Sequence, residues 1–181
     1  MARLIAKTPF GGLLPMEAGA VSVTEVDPGA VTFVQSLKGQ AGTVSAALWQ
    51  AVGAGLPGPG EALTGREARL LWCGPGQALV LGVRVAPRGA AVVDQSDAWA
   101  VARIAGGDAR RVLARLTPLD VRTSVFGEGQ TARTLLGHMT AQITPVGAEA
   151  VEVMVSRSMA GALAHDLGRA MGHVAGRARI R

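Results

Sequence analysis

The chain has 181 residues, of which 49% are hydrophobic, and a formal net charge of +5 at pH 7. This length and apolar content favour a domain with a packed core and exclude intrinsic disorder. The single cysteine, Cys73, excludes an internal disulfide and a cysteine-based structural zinc site. Because Cys73 lies in an apolar run, we expect a buried thiol and not a nucleophile.

The positive charge alone does not predict a nucleic-acid partner. The basic residues are nearly all arginines scattered singly, and three tryptophans and three phenylalanines without any tyrosine offer few surfaces for stacking on bases. No apolar run approaches the ~20 residues that span a bilayer, and prolines and glycines interrupt the N-terminal segment where a signal peptide would stand. We therefore predict a cytoplasmic protein that binds neither nucleic acid nor membrane.

Residues 1–18 are predicted to form an extended arm. Proline and glycine punctuate this segment around apolar residues that include Phe10 and Leu13, so no helix or strand period develops. The arm is expected to lie on an apolar surface, either of its own domain or of a partner. Alternating residues then predict a strand at 21–26, Asp27-Pro28-Gly29 predicts a turn, and a second strand follows at 31–37.

The next segment predicts an amphipathic helix that ends at the proline and glycine residues of 56–60. Val44, Leu48 and Val52 recur every four residues, and Trp49 would widen the same apolar face. Thr43 or Ser45 could cap the N-terminus. Apolar residues 69–73 and 78–85, joined by a glycine and proline turn, predict a hairpin.

The second half repeats this order of elements. Strands are predicted at about 91–95 and 98–104, then a turn at Gly106-Gly107, a helix at 108–116 that begins with Asp108, and strands at 131–145 and 149–155. We therefore predict an α+β fold over residues 19–176, in which two related small β/α lobes, at about 19–88 and 89–176, pack together.

The last helix has the clearest pattern in the sequence. Ser158 is predicted to cap it, and the apolar stripe repeats every four residues at Met159, Leu163, Leu167 and Met171. A second face carries His165, Arg169 and His173, and we interpret it as solvated or partner-facing. Its two histidines stand two helical turns apart, too far to bind one metal ion together. The basic tail at 177–181 has no core pattern and is expected to fray.

The sequence offers little that could form a catalytic set. Asp94, Ser96 and Asp97 lie close together, but no histidine is near them and Ser96 lacks the glycines of a nucleophile elbow. We expect Asp94 and Ser96 to hydrogen-bond the backbone of a turn. His138 follows Gly137 at a break between strands and is expected to be a structural donor.

Short motifs distributed over most of the chain carry a resemblance to a known family. They are Thr8-Pro9-Phe10-Gly11-Gly12-Leu13, Leu71-Trp72-Cys73-Gly74-Pro75, Asp94-x-Ser96, Leu116-Thr117-x-x-Asp120-Val121, Thr134-Leu135-Leu136-Gly137-His138 and Val155-Ser156-Arg157-Ser158. In this order, they resemble the folate-binding aminomethyltransferase family, which includes the T-protein of the glycine cleavage system. They resemble more closely the gamma subunits of heterotetrameric sarcosine oxidases. This resemblance implies a fold similar to the N-terminal part of the T-protein.

The resemblance also implies a function within an enzyme complex. Such a complex oxidatively demethylates sarcosine to glycine, producing hydrogen peroxide and, with tetrahydrofolate, methylenetetrahydrofolate. The partners are the alpha, beta and delta subunits, with FAD, FMN and NAD in alpha and beta, zinc in delta, and folate bound by alpha. For this chain it implies a structural role beside the folate domain of the alpha subunit.

One departure from the aminomethyltransferase pattern argues against a catalytic role. The family carries an acidic residue attributed with binding or protonating the folate amine, whereas residues 137–142 here, which end at Gln142, contain no carboxylate. We therefore predict no catalytic, cofactor-binding or metal-binding residues in this chain.

The residues proposed for a partner interface are Phe10, Leu13, His165, Arg169 and His173. Two other hypotheses remain open at this stage. One is a free-standing folate-binding protein that acts in one-carbon transfer or maturation, and the other is a basic nucleic-acid-binding module.

Overall fold

Two antiparallel β-sheets organise residues 5–178, the part of the chain that the computed structural model describes. The strands, in chain order, are β1 Met16–Ala18, β2 Val21–Val26, β3 Ala30–Ser36, β4 Ala62–Thr64, β5 Arg69–Gly74, β6 Gln77–Gly82, β7 Ala90–Asp94, β8 Trp99–Ala105, β9 Ala132–Leu136, β10 Met139–Gly147 and β11 Ala150–Ser156. The helices are α1 Ala41–Val52, α2 Ala109–Leu113 and α3 Ala160–Ala178, and a 3-10 turn at Arg157–Met159 precedes α3. The α+β class predicted from the sequence is confirmed.

The two sheets have related topologies. Sheet A has the strand order β1-β2-β8-β11-β10-β9, and sheet B has the order β4-β5-β6-β3-β7. Strands β4, β5, β6, β3 and β7 of sheet B therefore match β9, β10, β11, β8 and β2 of sheet A. Helix α1 follows β3 in the same way that α2 follows β8. Within the described residues, β1 and α3 have no counterpart on sheet B.

The division into sheets differs from the predicted lobes at about 19–88 and 89–176, because β1 and β2 of the first half lie in sheet A and β7 of the second half lies in sheet B. Strand β2 belongs to the first half but pairs with β8 in sheet A, and β7 belongs to the second half but pairs with β3 in sheet B. The physical reason lies in the connections, because the turn at 27–29 and the segment 95–98 carry the chain from one sheet to the other. Neither lobe could therefore complete its sheet alone.

Three apolar clusters form the core. Helices α2 and α3 cover sheet A, where Ile104 and Leu167 are fully buried, and α1 covers sheet B with Leu48. Between the sheets lies a third cluster, which includes Leu79 and Met154. Side chains that alternate along β8 explain this layering, since Val101 faces the opposite sheet while Ile104 faces the helices.

Several predicted helix ends differ from the structure. Helix α1 begins at Ala41, so neither Thr43 nor Ser45 is its cap, and the Ser45 hydroxyl instead accepts a hydrogen bond from the Leu56 N–H at 3.0 Å. Trp49 is 63% exposed because it points away from the face that Val44, Leu48 and Val52 bury.

The last two helices also differ in their ends. Helix α2 covers only residues 109–113, within the predicted 108–116, and Ser158 lies in the 3-10 turn before α3. Helix α3 continues through Arg177 and Ala178. The predicted fraying therefore does not apply to these two residues, and the rest of the tail lies outside the described residues.

The N-terminal arm joins the domain more fully than an extended arm would. Phe10 is 1% exposed within the core of sheet A, and its N–H donates to Glu25 Oε1 at 3.2 Å. Residues 16–18 form β1, the outer strand of sheet A. The sequence left open whether the arm lies on its own domain or on a partner, and Phe10 packs on its own domain.

Candidate functional site

A group of basic side chains lies along helices α2 and α3. Five basic side chains border adjoining depressions there and are called the α2–α3 surface below: Arg111, Arg115, Arg169, His173 and Arg177. The predicted helical period explains the three side chains on α3, because a spacing of four residues places Arg169, His173 and Arg177 on one face of this helix. The contact between α2 and α3 supplies the rest, which no local pattern predicts.

The α2–α3 surface contains two depressions with volumes of about 960 and 240 Å³. Four guanidinium groups line them against two carboxylates, those of Asp108 and Asp166. Asp108 already pairs with Arg111 at 2.8 Å, and Arg115 Nη2 lies 3.5 Å from His173 Nδ1. The surface therefore carries an excess of positive charge that suits an acidic partner.

The five proposed interface residues do not form one site. His165, Arg169 and His173 are all exposed on α3, as their shared spacing predicted. Leu13 is 54% exposed on the arm. Phe10 must be removed from the proposed interface, because packing in the core leaves none of its ring available to a partner in this conformation.

A buried carboxylate links the two sheets. Glu152 on β11 is 3% exposed, and its Oε1 accepts from Arg103 Nη2 at 2.7 Å while its Oε2 accepts from Arg69 Nη2 at 2.5 Å. Arg103 comes from sheet A and Arg69 from sheet B, so this pair of contacts ties the sheets together. The group borders a cleft of about 630 Å³ between the sheets. Because both carboxylate oxygens are occupied by guanidinium donors, Glu152 serves as a structural anchor and not as a free base.

A second buried polar group surrounds Gln142, the last residue of the stretch 137–142 that contains no carboxylate. Its Nε2 donates to Thr131 Oγ1 at 2.6 Å and to the Trp72 carbonyl at 2.9 Å, and Thr131 Oγ1 lies 2.7 Å from Thr144 Oγ1. Gln142 Oε1 is buried and accepts no hydrogen bond from the described part of the chain. These amide and hydroxyl groups bind neutral partners and cannot transfer a proton as an acid would near neutral pH.

Asp94 and Ser96 form the turn that the sequence predicted. Asp94 Oδ1 accepts from the Ser96 hydroxyl at 2.6 Å and from its N–H at 3.0 Å, and the Ser96 Oγ accepts from the Val31 N–H at 3.1 Å. These bonds from Ser96, followed by the Arg84 guanidinium, lower the pKa of Asp94 far below its ordinary range. A carboxylate with a pKa this low is a poor base, so Ser96 has no partner that could activate it.

The two other candidates for chemistry lie apart from each other. Cys73 is buried, and burial raises the pKa of its thiol to about 11, partly offset by the charge of Arg133 and a hydrogen bond from it. A thiol of this kind carries little thiolate near neutral pH. His138 is exposed in the turn between β9 and β10. Residues 5–178 contain no cluster of histidine, cysteine and acidic side chains suited to a metal ion.

The turn between β8 and α2 does not fit a dinucleotide. A Cβ atom at Gly106 would stand 1.9 Å from the Ala20 carbonyl oxygen, so the space beside this glycine is filled by the chain itself. The helix that follows has only five residues, too short to present the aligned N–H groups that bind a pyrophosphate. None of the helices described between residues 5 and 178 combines the length and the apolarity needed to cross a membrane.

These features define a class: an α+β protein of two interlocked sheets, with a basic surface along α2 and α3 and no assembled catalytic set within residues 5–178. Among solved structures, the chain is similar to a chain of the heterotetrameric sarcosine oxidase from Corynebacterium sp. U-96, determined in complex with pyrrole 2-carboxylate. Sequence identity is 22% and the TM-score is 0.81, over 94% of this chain and 96% of that chain. No protein-family model and no curated protein matches the sequence. The resemblance to sarcosine oxidase stated from the motifs is therefore confirmed at the level of the fold.

Proposed function

We propose that this chain is the gamma subunit of a heterotetrameric sarcosine oxidase and that it contributes structure, not catalysis. The likeness in fold carries the proposal, because it extends over nearly the whole of both chains and not over a shared fragment. Within the complex, the chain binds the alpha, beta and delta subunits in the cytoplasm. Its relation to the N-terminal part of the T-protein fold is part of the same proposal.

The chemistry of the proposed complex belongs to the partner subunits. They hold FAD, FMN, NAD, zinc and tetrahydrofolate, and convert sarcosine to glycine with production of hydrogen peroxide and methylenetetrahydrofolate. Three features of this chain agree with that division: residues 137–142 contain no carboxylate, the thiol of Cys73 has a raised pKa, and the space beside Gly106 is filled by the chain itself. The proposed role of this subunit is to pack beside the folate domain of the alpha subunit and so complete the assembly.

We assign docking to the α2–α3 surface, where positive charge exceeds negative charge. An acidic face of the alpha subunit would be attracted to these guanidinium groups. This attraction raises the association rate constant, and the increase becomes smaller as the salt concentration rises. Replacement of Arg169 by glutamate should weaken association by about three- to tenfold at low salt, mainly through slower association. Lys7→Glu is the matched control, since it reverses one exposed charge outside this surface and should leave affinity nearly unchanged.

Turnover measurements test the assignment. The alpha, beta and delta subunits are co-expressed with and without this chain, and sarcosine-dependent production of hydrogen peroxide is measured in each preparation. The account predicts an active, stable complex only when this chain is present and no activity from this chain alone. If the isolated chain instead binds tetrahydrofolate with micromolar affinity and turns over a methylamine substrate, the alternative of a free-standing folate enzyme replaces this proposal.

A further inference from the structure

Strand β7 is the outermost strand of sheet B, and no segment within residues 5–178 pairs with its free edge. Residues 90–93 are Ala-Ala-Val-Val, and within this run there is no charge, no proline and no bulge of the kind that proteins use to block edge pairing. Val92 is 37% exposed and Val93 is 51% exposed, on opposite faces of the strand. Apolar residues on both faces of an open edge indicate that another segment covers it.

The related topology of the two sheets shows what covers such an edge. Gln35 on β3 and Ala105 on β8 occupy equivalent positions in the two sheets. Gln35 pairs with the first residue of β6, the second strand of the β5–β6 hairpin, and Ala105 pairs with the first residue of β11, the second strand of the β10–β11 hairpin. From these positions the registers make Val92 of β7 equivalent to Val23 of β2. Val23 is 0% exposed, because β1 pairs with it through Met16 and the sheet is covered by α3. The edge that corresponds to β7 is thus closed by a short antiparallel strand.

The hydrogen bonds of β7 fix which of its backbone groups remain free. Gln95 donates to the Val31 carbonyl at 2.8 Å, and the Gly89 carbonyl accepts from the Leu37 N–H at 2.9 Å. In an antiparallel pair these groups alternate, so the odd-numbered residues from 89 to 95 face β3. The N–H and C=O groups of Ala90, Val92 and Asp94 therefore point away from the sheet and can pair with an added strand.

Charge at the two ends of β7 defines the chemistry of the occupant. Lys38 and Arg88 are exposed on either side of Gly89 at the start of the strand, and residues 36–40 and 86–91 contain no acid. Asp94 and Asp97 lie at the other end. An antiparallel strand with an apolar centre and a carboxylate near its C-terminal end would place that carboxylate beside the two cations.

We propose that the free edge of β7 accepts an extended segment of a partner subunit as an additional antiparallel strand of sheet B. The segment has alternating apolar residues and an acidic residue towards its C-terminal end. The inference rests on the proposed function, because the segment belongs to another chain of the sarcosine oxidase complex. It concerns a different surface from the α2–α3 surface, and the two contacts are independent.

Hydrogen exchange on the intact chain, alone and in the co-expressed complex, tests the proposal. The amides of Ala90, Val92 and Asp94 should exchange quickly in the isolated chain and at least a hundredfold more slowly in the complex. The amide of Val93, which faces β3, is the internal reference and should be protected in both states. Light scattering should show that the isolated chain is a monomer.

A matched pair of variants provides the second measurement. Val93→Lys places a charge on the free edge of sheet B, and Leu135→Lys does the same on β9, the last strand of sheet A, at an equal exposure of 51%. Val93→Lys should weaken recovery of the complex at least tenfold, whereas Leu135→Lys should not, and both variants should keep the unfolding midpoint of the parent chain.

Three outcomes would overturn the inference. A complex in which the outward amides of β7 still exchange quickly refutes this inference alone and leaves the proposed function intact. A dimer of the isolated chain with these amides protected identifies a second copy as the occupant and also refutes it. Failure of the chain to enter any complex with the alpha, beta and delta subunits refutes the proposed function, and this inference with it.

Discussion

Replacement of Gly106 by alanine should disrupt the joint between the two halves of the chain. Gly106 has a φ of +115°, and an added Cβ atom would stand 1.9 Å from the Ala20 carbonyl oxygen. Ala20 immediately precedes β2, the strand that the first half contributes to sheet A. The substitution therefore tests whether β2 packs against the end of β8 as described.

The expected loss of stability can be worked from this geometry. A side chain held at a φ outside the regions allowed to L-residues costs about 1–3 kcal/mol. The clash adds about 1–3 kcal/mol, because the contact involves backbone and cannot be relieved by rotating a side chain. Gly106→Ala should therefore lower the free energy of unfolding by about 2–6 kcal/mol.

Urea denaturation followed by circular dichroism measures this loss. With an m-value of about 2 kcal/mol/M for a chain of this size, the midpoint should fall by about 1–3 M. Gly107→Ala is the control, because its φ is not positive and the nearest atom to an added Cβ, Glu149 Oε1, is 3.8 Å away. Its midpoint should change by less than about 0.3 M. Equal midpoints for the two variants would refute the described packing of β2 against β8.

Three further predictions concern single side chains. Ser45→Ala should cost about 1 kcal/mol in urea denaturation, because the Leu56 N–H loses its acceptor. Glu152→Gln should cost about 2–3 kcal/mol by the same measurement, since the amide keeps one acceptor oxygen, loses the other, and removes the negative charge that two partly exposed arginines contact. Cys73 should react with iodoacetamide at pH 8 far more slowly in the folded chain than in urea. Its pKa rises from 9.0 to about 11 on folding, so the unfolded chain releases the proton first, and stability should fall between pH 9 and 11 in the parent chain but not in Cys73→Ala.

Local patterns predicted most of the secondary structure. The four-residue period of α3 is confirmed because one broad apolar face of this helix packs on sheet A, and Leu163, Leu167 and Met171 all become buried. The turn at Asp94 and Ser96 is also confirmed, since its hydrogen bonds form within three residues. Caps were less predictable. Ser45 could satisfy either a helix end or the loop at Leu56, and the sequence does not state which contact forms.

Features that depend on distant contacts could not be predicted. The exchange of β2 and β7 between sheets follows from strand pairing, which the alternation of residues within one strand does not encode. Likewise, Arg111 and Arg115 lie far from Arg177 in the sequence, and only the packing of α2 against α3 brings the three together. Phe10 shows the same limit, because one sequence pattern is compatible with an apolar residue that packs on its own core and with one that packs on a partner.

Native mass spectrometry of the tagged chain, purified after co-expression with candidate alpha, beta and delta subunits, tests the central claim most directly. We expect a single complex in which one copy of this chain accompanies the three other subunits. When this chain is separated from those three subunits, they should retain all of the bound flavin. Recovery of this chain only by itself, or carrying a stoichiometric flavin of its own, would contradict the account.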